Sequence, residues 1–182
     1  VVSEISGSSR VKMLGPYAYT PPVYWYTDKK LGGAYGFNTE TCPGANIPPL
    51  DSIQKMIPSD HLWPIDETWE YHCGKNDFSK LDRVKKAIAY RYGPAKNIKD
   101  FAYKAQLLNY ELMRPMFEAF QVNKHIATGV IQWMLNSALP NMYWQLYDSY
   151  LMPNGAFYST RKACEPLHLA YNYGDHSINI IN

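Results

Sequence analysis

Glu40 is the residue of this 182-residue sequence whose type and position best suit catalysis. It follows a short, glycine-rich apolar segment, Gly33–Asn38, which predicts a buried strand. It is also the only carboxylate between Asp28 and Asp51. A carboxylate in this position can attack or stabilise the electron-poor carbon that forms when a glycosidic bond breaks. Glu40 is therefore the candidate catalytic group, and the alternative is a glutamate that only accepts hydrogen bonds from loop N–H groups.

Aromatic and amide side chains come at the ends of two further predicted strands. Tyr17 and Tyr19 follow the first strand, while Trp133 and Asn136 lie at the end of the strand predicted over Thr128–Leu135. Aromatic faces pack well against the C–H surface of a sugar, so Tyr17, Tyr19 and Trp133 are candidate substrate-binding side chains, and Asn136 at the same strand end as Trp133 is a fourth. For Trp133 a core position in its strand is the other interpretation. Together with a carboxylate, these residue types predict carbohydrate chemistry.

Other kinds of chemistry find little support in the sequence. The five histidines show no HxH or HExxH spacing, no GxSxG is present, and Gly32-Gly33 lacks the spacing of a phosphate loop. The three cysteines form no CxxC, and an odd number cannot pair fully within one chain. We therefore expect no metal site, no cofactor and no disulfide scaffold.

The composition narrows the possible partners. Lys and Arg number 18 against 16 Asp and Glu, a net charge of +2, which disfavours a nucleic-acid-binding surface. The hydrophobic share of 46% indicates a globular chain.

Residues 126–147 contain no charged side chain, but their Gln, Asn, Ser and Pro residues disfavour a membrane span and favour a buried, ligand-lining stretch. The opening Val-Val-Ser-Glu lacks the features of a signal peptide, and Val1 suggests a trimmed or internal segment.

Strands and helices alternate along the predicted chain. The predicted elements are a strand at 11–14, a Pro- and Tyr-rich loop at 15–26, a strand at 33–38, a short helix at 49–57, a helix at 78–88, a helix capped by Asn97 that Pro115 kinks or interrupts, a strand at 128–135, an aromatic loop at 136–147, a helix near 159–165 and an alternating β segment at 167–182. Such alternation predicts a parallel sheet. Three strands leave open edges, so we expect the last part of an α/β barrel from a larger protein.

Several blocks of the sequence resemble glycoside hydrolase family 2, in its exo-β-D-glucosaminidase and endo-β-mannosidase branch. The central block is GGAYGFNTET at 32–41. The others, in the same order as in the family, are MIP at 56–58, LWP at 62–64, YHCG at 71–74, KAQ at 104–106, NYE at 109–111, RPMFEAF at 114–120, ATGVIQWMLN at 127–136 and KACEPLH at 162–168. The resemblance covers roughly residues 10 to 182.

The resemblance implies a fold and roles for the site residues. It implies the C-terminal portion of a (β/α)8 TIM barrel over residues 1–166, followed by the start of a β-sandwich, immunoglobulin-like domain at 167–182. It implies that Glu40 is the nucleophile of a retaining glycosidase and that Trp133 lies near the sugar subsite. A tyrosine is expected beside the nucleophile, and either Tyr17 or Tyr19 fits.

The family's acid/base glutamate lies upstream of Val1, so the resemblance predicts that this chain alone is inactive or nearly so. The substrate would be a β-linked glucosaminide or mannoside, with β-galactosidase and β-glucuronidase as sister activities. The expected partners are a carbohydrate and the remainder of the parent enzyme, with no nucleic acid and no membrane. A secreted, periplasmic or lysosome-like compartment is favoured over the cytoplasm. A substitute acid among Asp66, Glu67 and Glu70 is disfavoured, and the rival function is a non-catalytic carbohydrate-binding or structural fragment.

Overall fold

The computed structural model describes residues 2–3, 7–8, 11–13, 15–28 and 33–182. Three strands among these residues form a parallel sheet. Its strands are β3 (Val11–Lys12), β4 (Gly36–Thr41) and β5 (Ala127–Gln132), in the order β3-β4-β5. The parallel pairing predicted from the alternation of strands and helices is confirmed. Because the strands run the same way, the residues that follow each of them meet at one edge, with β4 in the middle.

Two further strand pairs and six helices complete the described part of the chain. The strands β1 (Val2–Ser3) and β2 (Gly7–Ser8) pair antiparallel, as do β6 (His168–Tyr171) and β7 (Ile178–Ile181). The helices are α1 (Tyr24–Thr27), α2 (Leu50–Met56), α3 (Glu67–Tyr71), α4 (Asp82–Tyr92), α5 (Ile98–Val122) and α6 (Gly155–Ala163), with single 3₁₀ turns at Ser59–His61 and Asn76–Phe78. Within these residues no helix is long and apolar enough to cross a membrane.

Several predicted boundaries are wrong by a few residues. The strand expected at 33–38 runs from Gly36 to Thr41, so Glu40 lies inside it. The strand expected at 128–135 ends at Gln132, so Trp133 lies beyond it. The helix expected at 78–88 begins later, at Asp82, and the helix expected near 159–165 begins earlier, at Gly155. The loop expected at 15–26 ends in the single turn of α1. Leu14, at the end of the strand expected at 11–14, lies outside the described residues.

Helix α5 continues through Pro115, so of the two outcomes predicted there, a kink or an interruption, the interruption is wrong. A proline inside a helix removes one backbone hydrogen bond, here the one to the carbonyl four residues earlier. Pro115 is buried, and its neighbours Met113 and Met116 have no exposed surface. Tertiary packing therefore keeps the helix continuous where the local sequence would break it. The predicted cap is confirmed, because the Asn97 side chain accepts from the Asp100 N–H at 3.0 Å.

Helix α5 separates two apolar cores. Its first half packs with α2, α3 and α4, around Ile53, Trp69 and Ile88. Its second half packs with α1 and α6, around Trp25 and Ala156. The approach of α6 to α5 requires glycine, because a Cβ added at position 155 would lie 2.1 Å from a backbone oxygen of α5. These two cores hold the sheet and the loops at its carboxyl edge in place.

Candidate active site

Glu40 and Tyr17 meet at the carboxyl edge of the parallel sheet. Glu40 lies near the end of the central strand β4, and Tyr17 lies in the loop that follows β3. The Tyr17 hydroxyl donates a hydrogen bond to Oε1 of Glu40 at 2.6 Å. Both residues are half-buried. A carboxylate has two oxygens, so this contact leaves Oε2 able to attack an electron-poor carbon.

The loop after β3 is fastened to β4 through buried polar groups. Asn38 has no exposed surface; its Nδ2 donates to the Gly15 carbonyl at 3.0 Å, and its Oδ1 accepts from the Glu40 N–H at 3.3 Å. The Pro16 carbonyl accepts from the Thr41 hydroxyl at 2.9 Å and from the Cys42 N–H at 3.0 Å. These contacts fix the backbone on both sides of the Tyr17–Glu40 pair.

An irregularity in strand pairing also helps to orient Glu40. Asn38 pairs with Val130 and Thr41 with Gln132, so three steps along β4 oppose two along β5. The extra residue falls at Thr39-Glu40. A bulge of this kind bends the strand and redirects a side chain, and such bulges are frequent next to active sites.

The phenol of Tyr17 is held in its protonated, donating form. Burial and then the hydrogen bond to Glu40 raise the pKa of Tyr17 to about 12. Burial disfavours a phenolate, and the nearby carboxylate disfavours a second negative charge. Around neutral pH, Tyr17 is therefore a donor to the carboxylate.

Trp144, which no sequence motif indicated, contacts both the backbone and the ring of Tyr17. Its indole Nε1 donates to the Tyr17 carbonyl at 2.8 Å, and the two rings meet edge-on with centroids 6.2 Å apart. The Trp144 carbonyl accepts from the Met134 N–H at 2.6 Å and from Gln132 Nε2 at 2.7 Å. The sequence feature that could have indicated Trp144 is its position in the stretch 126–147, which contains no charged side chain.

Trp133 presents its side chain to solvent, with 44% of its surface exposed. Its N–H donates to the Thr41 carbonyl at 2.9 Å, which holds it beside the end of β4. Its peptide bond to Met134 is cis. The interpretation of Trp133 as a core residue is therefore wrong.

The structure does not bring Tyr19 or Asn136 onto the carboxylate. Tyr19 packs half-buried against the first apolar core, and Asn136 is exposed, with its backbone bridged to Tyr147. Neither residue hydrogen-bonds to Glu40 within the described chain. Tyr17, rather than Tyr19, is the phenol at the carboxylate.

Two of the carboxylates weighed as a substitute acid are engaged locally. Asp66 caps α3 through the Thr68 N–H at 3.0 Å and lies 2.7 Å from Nδ1 of His61. Glu70 lies 3.6 Å from the Lys80 ammonium. Among the described residues, no group of three His, Cys, Asp or Glu side chains could hold a metal ion.

Comparison with known proteins gives a consistent result, although no model of a protein family matches the sequence. An exo-β-D-glucosaminidase of Amycolatopsis orientalis is 42% identical over 99% of this chain and 18% of its own length. Another from Streptomyces avermitilis is 43% identical over 99% of this chain and 21% of its own length. A variant of the Amycolatopsis orientalis exo-chitosanase, solved as a complex with PNP-β-D-glucosamine, matches with a TM-score of 0.88 and 40% identity, covering 100% of this chain and 22% of that one.

These matches place the chain among proteins related to glycoside hydrolases, and they confirm its mixed α/β fold. More narrowly, the chain is similar along almost its whole length to one segment of the exo-β-D-glucosaminidases, so the resemblance drawn from the motifs is confirmed. The chain spans about a fifth of the length of these relatives.

Proposed function

We propose that this chain is the C-terminal portion of the (β/α)8 catalytic barrel of a retaining β-glycosidase. Residues 1–166 would belong to the barrel and 167–182 to a following β-sandwich domain. The parallel sheet supports this proposal, because no other described strand pairs with the outer edge of β5, and Ile131 on that strand is 53% exposed. Such edges are normally covered, and the neighbouring strands of a barrel would cover them.

In this proposal Glu40 is the nucleophile. A free carboxylate oxygen attacks the anomeric carbon, the bond to the leaving oxygen breaks, and a glycosyl–enzyme ester forms. A carboxylic acid outside this chain protonates the leaving oxygen and then takes a proton from the water that hydrolyses the ester. The two carboxyl groups of such a pair lie about 5–5.5 Å apart. The observation that carries the proposal is the hydrogen bond from Tyr17 to Glu40 at the carboxyl edge of the sheet, where barrel enzymes have their active sites.

A β-linked glucosaminide is the substrate that the comparisons favour, since both relatives above 40% identity are named exo-β-D-glucosaminidases. A β-mannoside is the alternative within the same branch. Trp133 would carry the sugar on its exposed indole face, close to the end of β4. Without the partner acid, the 182-residue chain would lose about 10²–10⁴-fold in general acid catalysis.

The proposal is tested with a panel of aryl β-glycosides on the full-length protein that carries this chain, comparing Glu40→Gln with the unchanged protein. Glu67→Gln is the matched control, because Glu67 is an exposed glutamate on α3. We expect E40Q to lose turnover and E67Q to keep it. We also expect a 2-deoxy-2-fluoro glycoside to label the Glu40 peptide of the unchanged protein covalently. Full turnover in E40Q would favour the rival function, a non-catalytic carbohydrate-binding or structural segment.

A further inference from the structure

Trp144 joins the two loops that flank the strand carrying Glu40. Its indole N–H holds the Tyr17 carbonyl in the loop after β3, at 2.8 Å. Its own carbonyl is held by Gln132 and Met134, at the end of β5. Because β4 lies between β3 and β5, this single residue links the segments on both sides of the strand that carries Glu40.

The conformation of Trp144 is one that a bulky residue rarely adopts. Its φ is +63°, in the left-handed region that favours glycine and asparagine. The residue is half-buried, and its indole packs against Phe78, whose ring centroid lies 5.0 Å away, and against Tyr143 at 5.2 Å. Strained residues of this kind persist where the surroundings over-determine them, and they cluster at functional sites.

The contacts of Trp144 act on the phenol that touches the carboxylate. The backbone before Tyr17 is fixed at Pro16 by β4, and the backbone of Tyr17 itself is fixed by the indole. The edge of one aromatic ring against the other limits how the phenol can turn. A displacement of about 1 Å in such an assembly can cost on the order of 10²-fold in rate.

We propose that Trp144 is a positioning residue, which keeps the Tyr17 hydroxyl on Oε1 of Glu40. This inference rests on the proposed function, since it assumes that Glu40 does the chemistry. It predicts that the indole acts on the reaction through Tyr17 and not through contact with the sugar. Its effect therefore belongs to kcat and not to KM.

The test is the kinetics of Trp144→Phe in the full-length protein, which removes the N–H and keeps an aromatic ring. We expect kcat to fall about threefold to tenfold, the range for one lost hydrogen bond, with KM within about twofold. Trp69→Phe is the matched control: Trp69 also donates its indole N–H to a backbone carbonyl, that of His61 at 3.0 Å, but it lies in the first core. We expect W69F to leave kcat unchanged.

The same substitution in a Tyr17→Phe background separates positioning from general destabilisation. If Trp144 acts through the phenol, W144F adds little to Y17F, so the two losses are not additive. Full additivity, an unchanged kcat in W144F, or an equal loss in W69F would each overturn the inference. If W144F does not accumulate as folded protein, Gln132→Met, which removes one of the two hydrogen bonds to the Trp144 carbonyl, is measured by the same criteria.

Glu40→Gln, measured in parallel, separates this inference from the function on which it rests. Turnover retained by E40Q refutes the proposed function and the positioning role with it. Turnover lost in E40Q but unaffected in W144F refutes the positioning role alone.

Discussion

Arg114→Met tests how the β6–β7 strand pair is attached to α5. Arg114 Nε donates to Oε1 of Glu118 at 2.5 Å, and its Nη2 donates to the Leu169 carbonyl of β6 at 3.2 Å. The Glu118 side chain is only 3% exposed, and the Arg114 side chain 29%. Removing one partner of a buried ion pair costs about 3–5 kcal/mol, because it leaves an uncompensated charge.

The cost of Arg114→Met depends on pH, and its sign follows from Glu118. Burial raises the pKa of Glu118, and Arg114 opposes that rise. Two other titratable groups lie near the Glu118 carboxylate. Nε2 of His168 lies 3.9 Å from its Oε1. Tyr26 is the second: its own burial and then the charge of Glu118 raise the pKa of its phenol. Because the pKa of Glu118 is raised in the folded protein, folding favours the protonated carboxyl. The stability contributed in this way is fully present below the unfolded pKa of a glutamate, about 4.3, and is lost as the pH rises through the folded pKa of Glu118.

We therefore expect R114M to lose about 3 kcal/mol of stability near pH 7.5, with a smaller loss near pH 5. Urea unfolding at the two pH values measures the loss, and hydrogen exchange of β6 and β7 locates it. Arg114→Met combined with Glu118→Gln is the control, because no buried charge remains, and it recovers most of the loss. A loss that is equal at both pH values, or that the double variant does not recover, would refute the reasoning.

Two other predictions concern Asn38, which accepts from the Glu40 N–H, and the accessibility of two cysteines. Asn38→Leu removes the buried hydrogen bond to the Gly15 carbonyl and the partly buried one from the Glu40 N–H, so we expect a loss of about 2 kcal/mol in thermal unfolding together with reduced turnover. Unchanged values in both assays would contradict the role of Asn38. Iodoacetamide should modify the exposed Cys164 well before Cys42, because Cys42 is fully buried and burial raises its pKa to about 12. Peptide mass spectrometry checks this order, and equal rates would contradict it.

Local sequence signals predicted the elements better than their ends. Asn97 was recognised as a cap because capping depends on one side chain and the N–H groups just after it. The strand of Glu40 was placed three residues early because glycine and apolar residues continue on both sides of its start. Its end depends on pairing with a strand about ninety residues away, which no local pattern records.

The candidate site was partly predictable for a similar reason. The lone glutamate after a buried strand could be found from spacing, and the family resemblance indicated that a tyrosine lies beside it. Tyr17 and Tyr19 stand two residues apart in the same loop, and the backbone contacts of Gly15 and Pro16 decide which one reaches Glu40. Asn38 and Thr41 of β4 make those contacts, and they lie 23 and 25 residues further along the sequence than Gly15 and Pro16.

The sequence by itself determined the alternation of strands and helices, the parallel sheet and Glu40 as the candidate catalytic residue, because these follow from residue types and short spacings. Only the tertiary structure decided that α5 continues through Pro115, that Tyr17 lies on Glu40, and that Trp144 holds Tyr17 from 127 residues away. Each of these outcomes depends on packing or hydrogen bonds between distant segments, whose free energies outweigh the local preferences of the chain.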